Sequence, residues 1–232
     1  VNTAGNTALL LALLDSRAPA GAHGHSGGME AAVSAGFVTG TADVAQFCAL
    51  RLATAGPVAA AFAAAGCALW SGGGSPARWA ELDAEFSARV PSPAGRAASR
   101  QLGSGLRRLV AAMAPAADLA GPWRSIMRPA PHHPLVLGAA VAIGGGDPEL
   151  AAVAAALGTA AIAASAAVRL LGLDPYAVQG VLARLAPAVN AVGAAQAAGD
   201  LADFAGLPAA GAPALELLAD VHARSEVRLF AS

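Results

Sequence analysis

The chain has no lysine. All 14 of its basic residues are arginine, set against 15 acids, for a formal net charge of −1. A near-neutral chain offers no electrostatic case for binding nucleic acid. Cysteine is nearly absent too: Cys48 and Cys67 are too few for a disulfide framework and lack the spacing of a metal site, so both read as buried thiols in a reducing compartment. Aromatic residues make up 4% and β-branched residues are sparse, which argues against a large sheet. Before the apolar run Leu9 to Leu14 there is no basic segment, and an acid, Asp15, follows it, so no secretory leader is expected and the cytoplasm follows by default.

Alanine fills the space these residues leave. It occupies 67 of 232 positions, and it is the strongest helix former. Four dipeptides, Ser75-Pro76, Ser92-Pro93, Asp147-Pro148 and Asp174-Pro175, each put a good N-cap before a proline at the first helical position. Together with Thr41 and Asp43 and the apolar periodicity, they predict helices near 6–16, 26–36, 41–70, 76–89, 93–113, 134–144, 148–171, 175–198 and 213–224. The fold class is all-α, a single-domain bundle of about nine to ten helices over residues 1–232, with 225–232 as a C-terminal interaction tail. Pro187 is expected to kink or split its helix. The proline-rich stretch from Ala114 to Pro134 reads as a long connection carrying Trp123 and Arg128, and the glycine clusters at 71–75 and 144–146 as turns. The uncharged run Leu150 to Val168 is near spanning length, but 11 of its 19 residues are alanine, so a buried central helix in a soluble bundle is expected.

Polar chemistry concentrates in Pro19 to Gly40, PAGAHGHSGGMEAAVSAGFVTG. Ser26 is expected to N-cap a helix holding Glu30 in its first turn, with Gly36 or Gly40 ending it. His23, His25 and Glu30 could form a three-ligand metal centre, which makes a small metal-dependent hydrolase one alternative; an Ala-rich membrane-associated helical protein is another. No second motif supplies a base or an oxyanion donor. On the helix from Arg96 to Met113, Leu102, Leu106, Leu109 and Met113 fall within about 60° of arc and Arg96, Arg100 and Arg107 form a second stripe, able to grip carboxylates on a partner. His132-His133-Pro134 reads as a capping or packing element. At the end of the chain, the apolar pair Leu229-Phe230 beside Arg228 is expected to be exposed and to dock against a partner.

These blocks together resemble the UreF family of urease accessory proteins. Pro19, Gly21, His25, Ser26, Gly28, Met29, Glu30, Gly36 and Val38 fall on its N-terminal signature. Arg96, Ser99, Arg100, Gln101 and Gly103 are similar to its mid-chain block, and His133, Val136 and Gly138 to a third element. Ala167, Arg169, Leu170 and Leu173 match a fourth, in which Gly172, Asp174 and Pro175 replace the usual Pro, Gly and Gln. His222, Arg228, Leu229, Phe230 and Ser232 match the family's tail, with Ala223 where Glu is common. The resemblance implies a cytoplasmic, all-α homodimer with no enzymatic activity, no cofactor and no metal of its own. It works with UreD (UreH), the GTPase UreG and apo-urease in nickel insertion. It also implies that Gly21, His23, His25, Ser26, Glu30, Arg96, Ser99, Arg100, Gln101, Arg107, Arg169, His222, Arg228, Leu229 and Phe230 are partner-binding.

Overall fold

A computed structural model describes residues 7–15, 18–117, 120–123, 130–224 and 229–231. Among these residues the regular structure is entirely helical: α1 (Thr7–Leu14), a 3₁₀ turn (Ala22–Gly24), α2 (Met29–Ser34), α3 (Thr41–Ser71), α4 (Pro76–Arg89), α5 (Pro93–Met113), α6 (Ala120–Trp123), α7 (His133–Ile143), α8 (Pro148–Leu171), α9 (Pro175–Ala197) and α10 (Pro213–Ala223). The four Ser/Asp-Pro starts are realised as drawn. Ser75, Ser92, Asp147 and Asp174 each accept a hydrogen bond from a backbone N–H in the first turn, those of Arg78, Gly95, Leu150 and Tyr176.

Two expectations need correcting. Ser26 does not cap α2; that position belongs to Gly28, at φ 86° with no side-chain cap, and Ser26 is fully buried just before it. The left-handed conformation at Gly28 is open to glycine at little cost, and it turns the chain into α2 more sharply than a serine cap does. Helix α9 also runs unbroken through Pro187. Pro187 and Ala183, whose carbonyl loses its bond, are both exposed, so water can satisfy the stranded oxygen. In the proline-rich connection, α6 forms a single turn and Trp123 is fully buried; Arg128 lies outside the described residues.

Helix α3, about 46 Å long by its 31 residues, is the axis of the bundle. Helices α7, α8 and α9 pack along it. From Ala60 to Cys67 every residue is buried, so this part of α3 is covered on all sides, and Pro134 to Val141 of α7 is buried in the same way. Alanine makes this possible by letting helix axes approach closely. At the α3–α7 crossing the backbones touch: a Cβ at Gly138 would stand 2.2 Å from the Ala63 carbonyl oxygen and 2.6 Å from the Cys67 nitrogen.

Three apolar clusters fill the interior. The largest joins α3, α4, α5 and α7 around Phe62, Phe86 and the tryptophans, with Trp79 and Trp123 edge to face at 5.6 Å. A second joins α2, the start of α3 and the end of α8, and a third is an alanine seam between α3 and α8. Cys48 and Cys67 are buried free thiols, pushed up by burial to about 11 and about 12. Helices α3 and α8 are each long and apolar enough to cross a membrane by composition, but 61% and 50% of their most apolar windows are buried within the bundle. Leu150 to Val168 thus lies in a helix that packs against α3, α7 and α9.

The touching backbones set a stability test. Gly138→Ala should cost about 2 kcal/mol or more by forcing α3 and α7 apart, lowering the melting temperature by about 4–8 °C. Gly158→Ala in α8, where an added Cβ meets nothing within 4 Å, should leave it unchanged or raise it. Paired thermal melts check both.

Candidate functional site

The glycine-rich segment before α2 is shaped by its own residues. Gly21 at φ 92° opens the 3₁₀ turn, and Gly27 and Gly28 at φ 60° and 86° reverse the chain. Arg51 of α3 braces the reversal: its Nη1 donates to the Gly27 carbonyl at 2.6 Å and its Nε to the Thr159 carbonyl of α8 at 2.8 Å. This delivers Glu30 into the interior at the start of α2.

Glu30 closes a clasp. Its Oε1 accepts the backbone N–H of Leu229 at 2.7 Å and its Oε2 that of Phe230 at 2.9 Å. His222 of α10 brings Nε2 to 3.3 Å from Oε2, within ion-pair range but off the direction of a hydrogen bond. The Ala231 N–H donates to the Gly24 carbonyl at 2.7 Å. Arg169, at the end of α8, donates to the His23 carbonyl at 2.9 Å and lies over the Phe230 ring at 4.5 Å. Two sequence blocks up to 200 residues apart therefore meet at one carboxylate, and Arg169 of a third joins them beside it. Phe230 was expected to be exposed. It is 4% exposed, packed in the same cluster as Met29 and Leu215, because Glu30 captures the backbone on which it rides. Leu229 is 55% exposed, as expected; Arg228 lies outside the described residues.

The mid-chain block forms a second joint. Arg100 grips Asp83 of α4 through both carboxylate oxygens, at 3.3 and 2.8 Å, and donates to the Ala130 carbonyl at 2.6 Å. Asp83 also accepts the His132 N–H at 3.1 Å, and Ser99 Oγ accepts that of His133 at 3.3 Å. Gly103 lets Pro131 approach: a Cβ there would stand 2.1 Å from the Pro131 carbonyl. Arg96 donates to the Val90 and Pro91 carbonyls, Arg107 has its Nε buried without a partner among the described residues, and Gln101 is exposed. Two arginines of the stripe, Arg96 and Arg100, thus hold this chain's own acid and carbonyls. His132 packs its ring on Phe86 at 4.7 Å and pairs Nε2 with Ser87 Oγ at 2.9 Å.

Burial holds three imidazoles neutral. It lowers His25, takes His133 to about 4 with a smaller push from the nearby His25, and takes His132 to about 3, helped by the charges of Arg100 and Arg96. The triad of the hydrolase alternative is not assembled: His23 is exposed, His25 is buried and Glu30 serves the clasp. No group of three or more His, Cys, Asp or Glu able to hold a metal occurs among the described residues. Sequence reasoning missed Arg51 and Asp83. Arg51 had a signal, since a charge set in an otherwise apolar helical stretch needs a partner and α3 carries only Asp43 and Arg51 in 31 residues; Asp83, one of five charges in the 14 residues of α4, had none.

The class these features define is an all-helical domain whose motif residues brace its own chain. Comparison with known proteins names the family. Residues 38–186 match the UreF family model. The chain is 41% identical over 225 residues to the urease accessory protein UreF of Mycobacterium sp. (strain JLS), covering 96% of this chain and 97% of that one. It is 42% identical over 226 residues to the protein of that name from Mycolicibacterium vanbaalenii, covering 97% and 98%. It is 39% identical over 230 residues to that of Mycobacterium tuberculosis (strain ATCC 25618 / H37Rv), again covering 97% and 98%. The chain belongs to the UreF family.

Two measurements test this geometry. Hydrogen bonds to a charged acceptor contribute about 1.5–3 kcal/mol, so Glu30→Gln should speed amide exchange at Leu229 and Phe230 about 10- to 100-fold, leaving α3 amides unchanged. Unaltered exchange at those two amides would mean that the clasp does not hold the segment. The second concerns pH. His132 and His133 bind a proton more readily when unfolded than when folded, so the unfolded state carries more protons between their folded values and about 6.5. Stability should therefore be full above about pH 6.5 and fall as pH drops toward 4, by up to about 1.4 kcal/mol per pH unit for each histidine. Urea melts from pH 7 to 5 give the slope, and His133→Gln should reduce it by one histidine's share.

Proposed function

We propose that this chain is a urease maturation factor that acts by contact rather than by chemistry. It bridges the GTPase UreG and UreD (UreH) to apo-urease during nickel insertion, as a homodimer in the cytoplasm. The observation that carries this reading is similarity at about 40% identity, over nearly the whole chain, to proteins named urease accessory protein UreF. It is supported by a site whose polar groups are committed to holding shape.

Within this reading the family positions divide by reach. Gly21, His23, Gln101, Arg169 and Leu229 reach solvent and are open to a partner. His25, Ser26, Glu30, His222 and Phe230 are buried and act by fixing the surface above them. Ser99, Arg96 and Arg100 act through the α4–α5–α7 joint, and Arg107 is kept as a contact through its place on the same stripe. Arg228 is retained as a contact through its place in the family tail.

Leu229 gives the sharpest test. An exposed apolar anchor, once buried by a partner, contributes about 1–2 kcal/mol, so Leu229→Asp should weaken capture of UreG or UreD about tenfold or more with an unchanged thermal melt. Urease activation with nickel and GTP should fall alongside. Normal partner capture and activation by both Leu229→Asp and Glu30→Gln would overturn the assignment of the clasp surface to recruitment.

A further inference from the structure

Beside the Gly27–Gly28 turn lies a half-open cavity of about 240 Å³, lined by residues of α3, α5, α8 and α10 among others. We infer that this cavity is a binding site for a small monocarboxylic acid with an apolar body of about benzoate size, its carboxylate paired with the guanidinium of Arg51.

Size and walls set the body of the ligand. A cavity of about 150 Å³ accepts benzene, so this one has room for a ring and one polar substituent. Its walls include Ala59, Phe86, Ala98, Leu102 and Ile162. The space exists because small residues stand where larger ones could: a Cβ built on Gly158 would meet no atom within 4 Å.

Arg51 sets the charge. It lines the cavity, and its Nε and Nη1 are spent on the Thr159 and Gly27 carbonyls, which fix the guanidinium without neutralising it. Among the described residues it forms no ion pair, and Nη2 is the donor left over. A cation drawn into protein is costly unless it is paired; burial lowers Arg51's affinity for its proton, and the charges of Cys48 and Glu216 offset this only in part. A carboxylate entering from the cavity meets a donor already held in place, so little ordering is lost on binding.

The other titratable groups limit the ligand to one negative charge. Glu216 of α10 also lines the cavity, near enough for its charge to act on Arg51; its Oε2 accepts the Ser92 N–H at 3.1 Å, and it repels a second carboxylate. His25 and His133 also line the cavity, and their burial keeps them neutral at pH 7, so they add no cationic charge for a dianion. This inference is independent of any role in urease maturation.

The test uses the full chain and three probes: benzoate, neutral benzamide and the dianion terephthalate. Titration calorimetry and ligand-observed NMR should show saturable benzoate binding with Kd at or below about 1 mM, benzamide at least tenfold weaker, and no saturable terephthalate binding. Gly158→Leu should abolish benzoate binding by filling the cavity while leaving Arg51 in place. Arg51→Gln should weaken it at least tenfold. Because Arg51 also braces Gly27, a thermal melt accompanies that variant; if it fails to fold, Gly158→Leu and the benzoate-to-benzamide ratio decide. No saturable benzoate binding, equal affinity for benzoate and benzamide, or binding that survives Gly158→Leu would overturn the inference.

Discussion

The contact of α3 with α7 at Gly138 is the constraint on which the remaining packing rests. Two helices approach this closely only where side chains vanish, and there the Ala63 carbonyl and the Cys67 amide leave no room for a Cβ on the facing helix. Once the two are locked, α8 closes over α3 through an alanine seam and α9 lies on both. Alanine contributes little transfer free energy per residue, so such a core depends on the number and closeness of its contacts. The larger side chains, Trp79, Trp123, Phe62 and Phe204, gather in the largest cluster, to which α4 and α6 contribute the two tryptophans.

An alanine face is uniform, so sliding one helix past another by a turn changes apolar burial little. Directional polar contacts distinguish the registers. The same device appears twice. Asp83 takes a backbone N–H from the start of α7 and a guanidinium from α5; Glu30 takes two backbone N–H groups from the end of the chain with an imidazole beside it. In each case one buried carboxylate captures main chain from a distant segment, with charge-assisted bonds that are strong in a low-dielectric interior. Arg51 does the reverse, a buried cation gathering carbonyls from two segments.

These joints change what the family pattern means. A motif of Ser, Gly, His and Glu invites a reading as catalytic equipment or as a contact surface. Here most of it is internal bracing, and the exposed remainder, such as His23, Arg169 and Leu229, sits on a platform whose shape the buried residues maintain.

The helices were legible because their signals are local. A Ser-Pro or Asp-Pro pair acts on the next turn of chain and needs no tertiary partner, which is why the starts of α4, α5, α8 and α9 follow from the sequence directly. The polar blocks were equally visible as blocks, and their match to one family was readable from residue types and spacing. What each block touches was not, because Glu30 and Phe230 are separated by 200 residues and nothing in either segment encodes the other's position. Arg100 could as well have gripped a partner's acid as Asp83, and Phe230 could as well have lain in water. Those outcomes were decided when the bundle closed and left one unpaired carboxylate facing two free amides. Local sequence determined where helices begin and where polarity concentrates; only tertiary structure decided that the polarity is spent on holding the chain to itself.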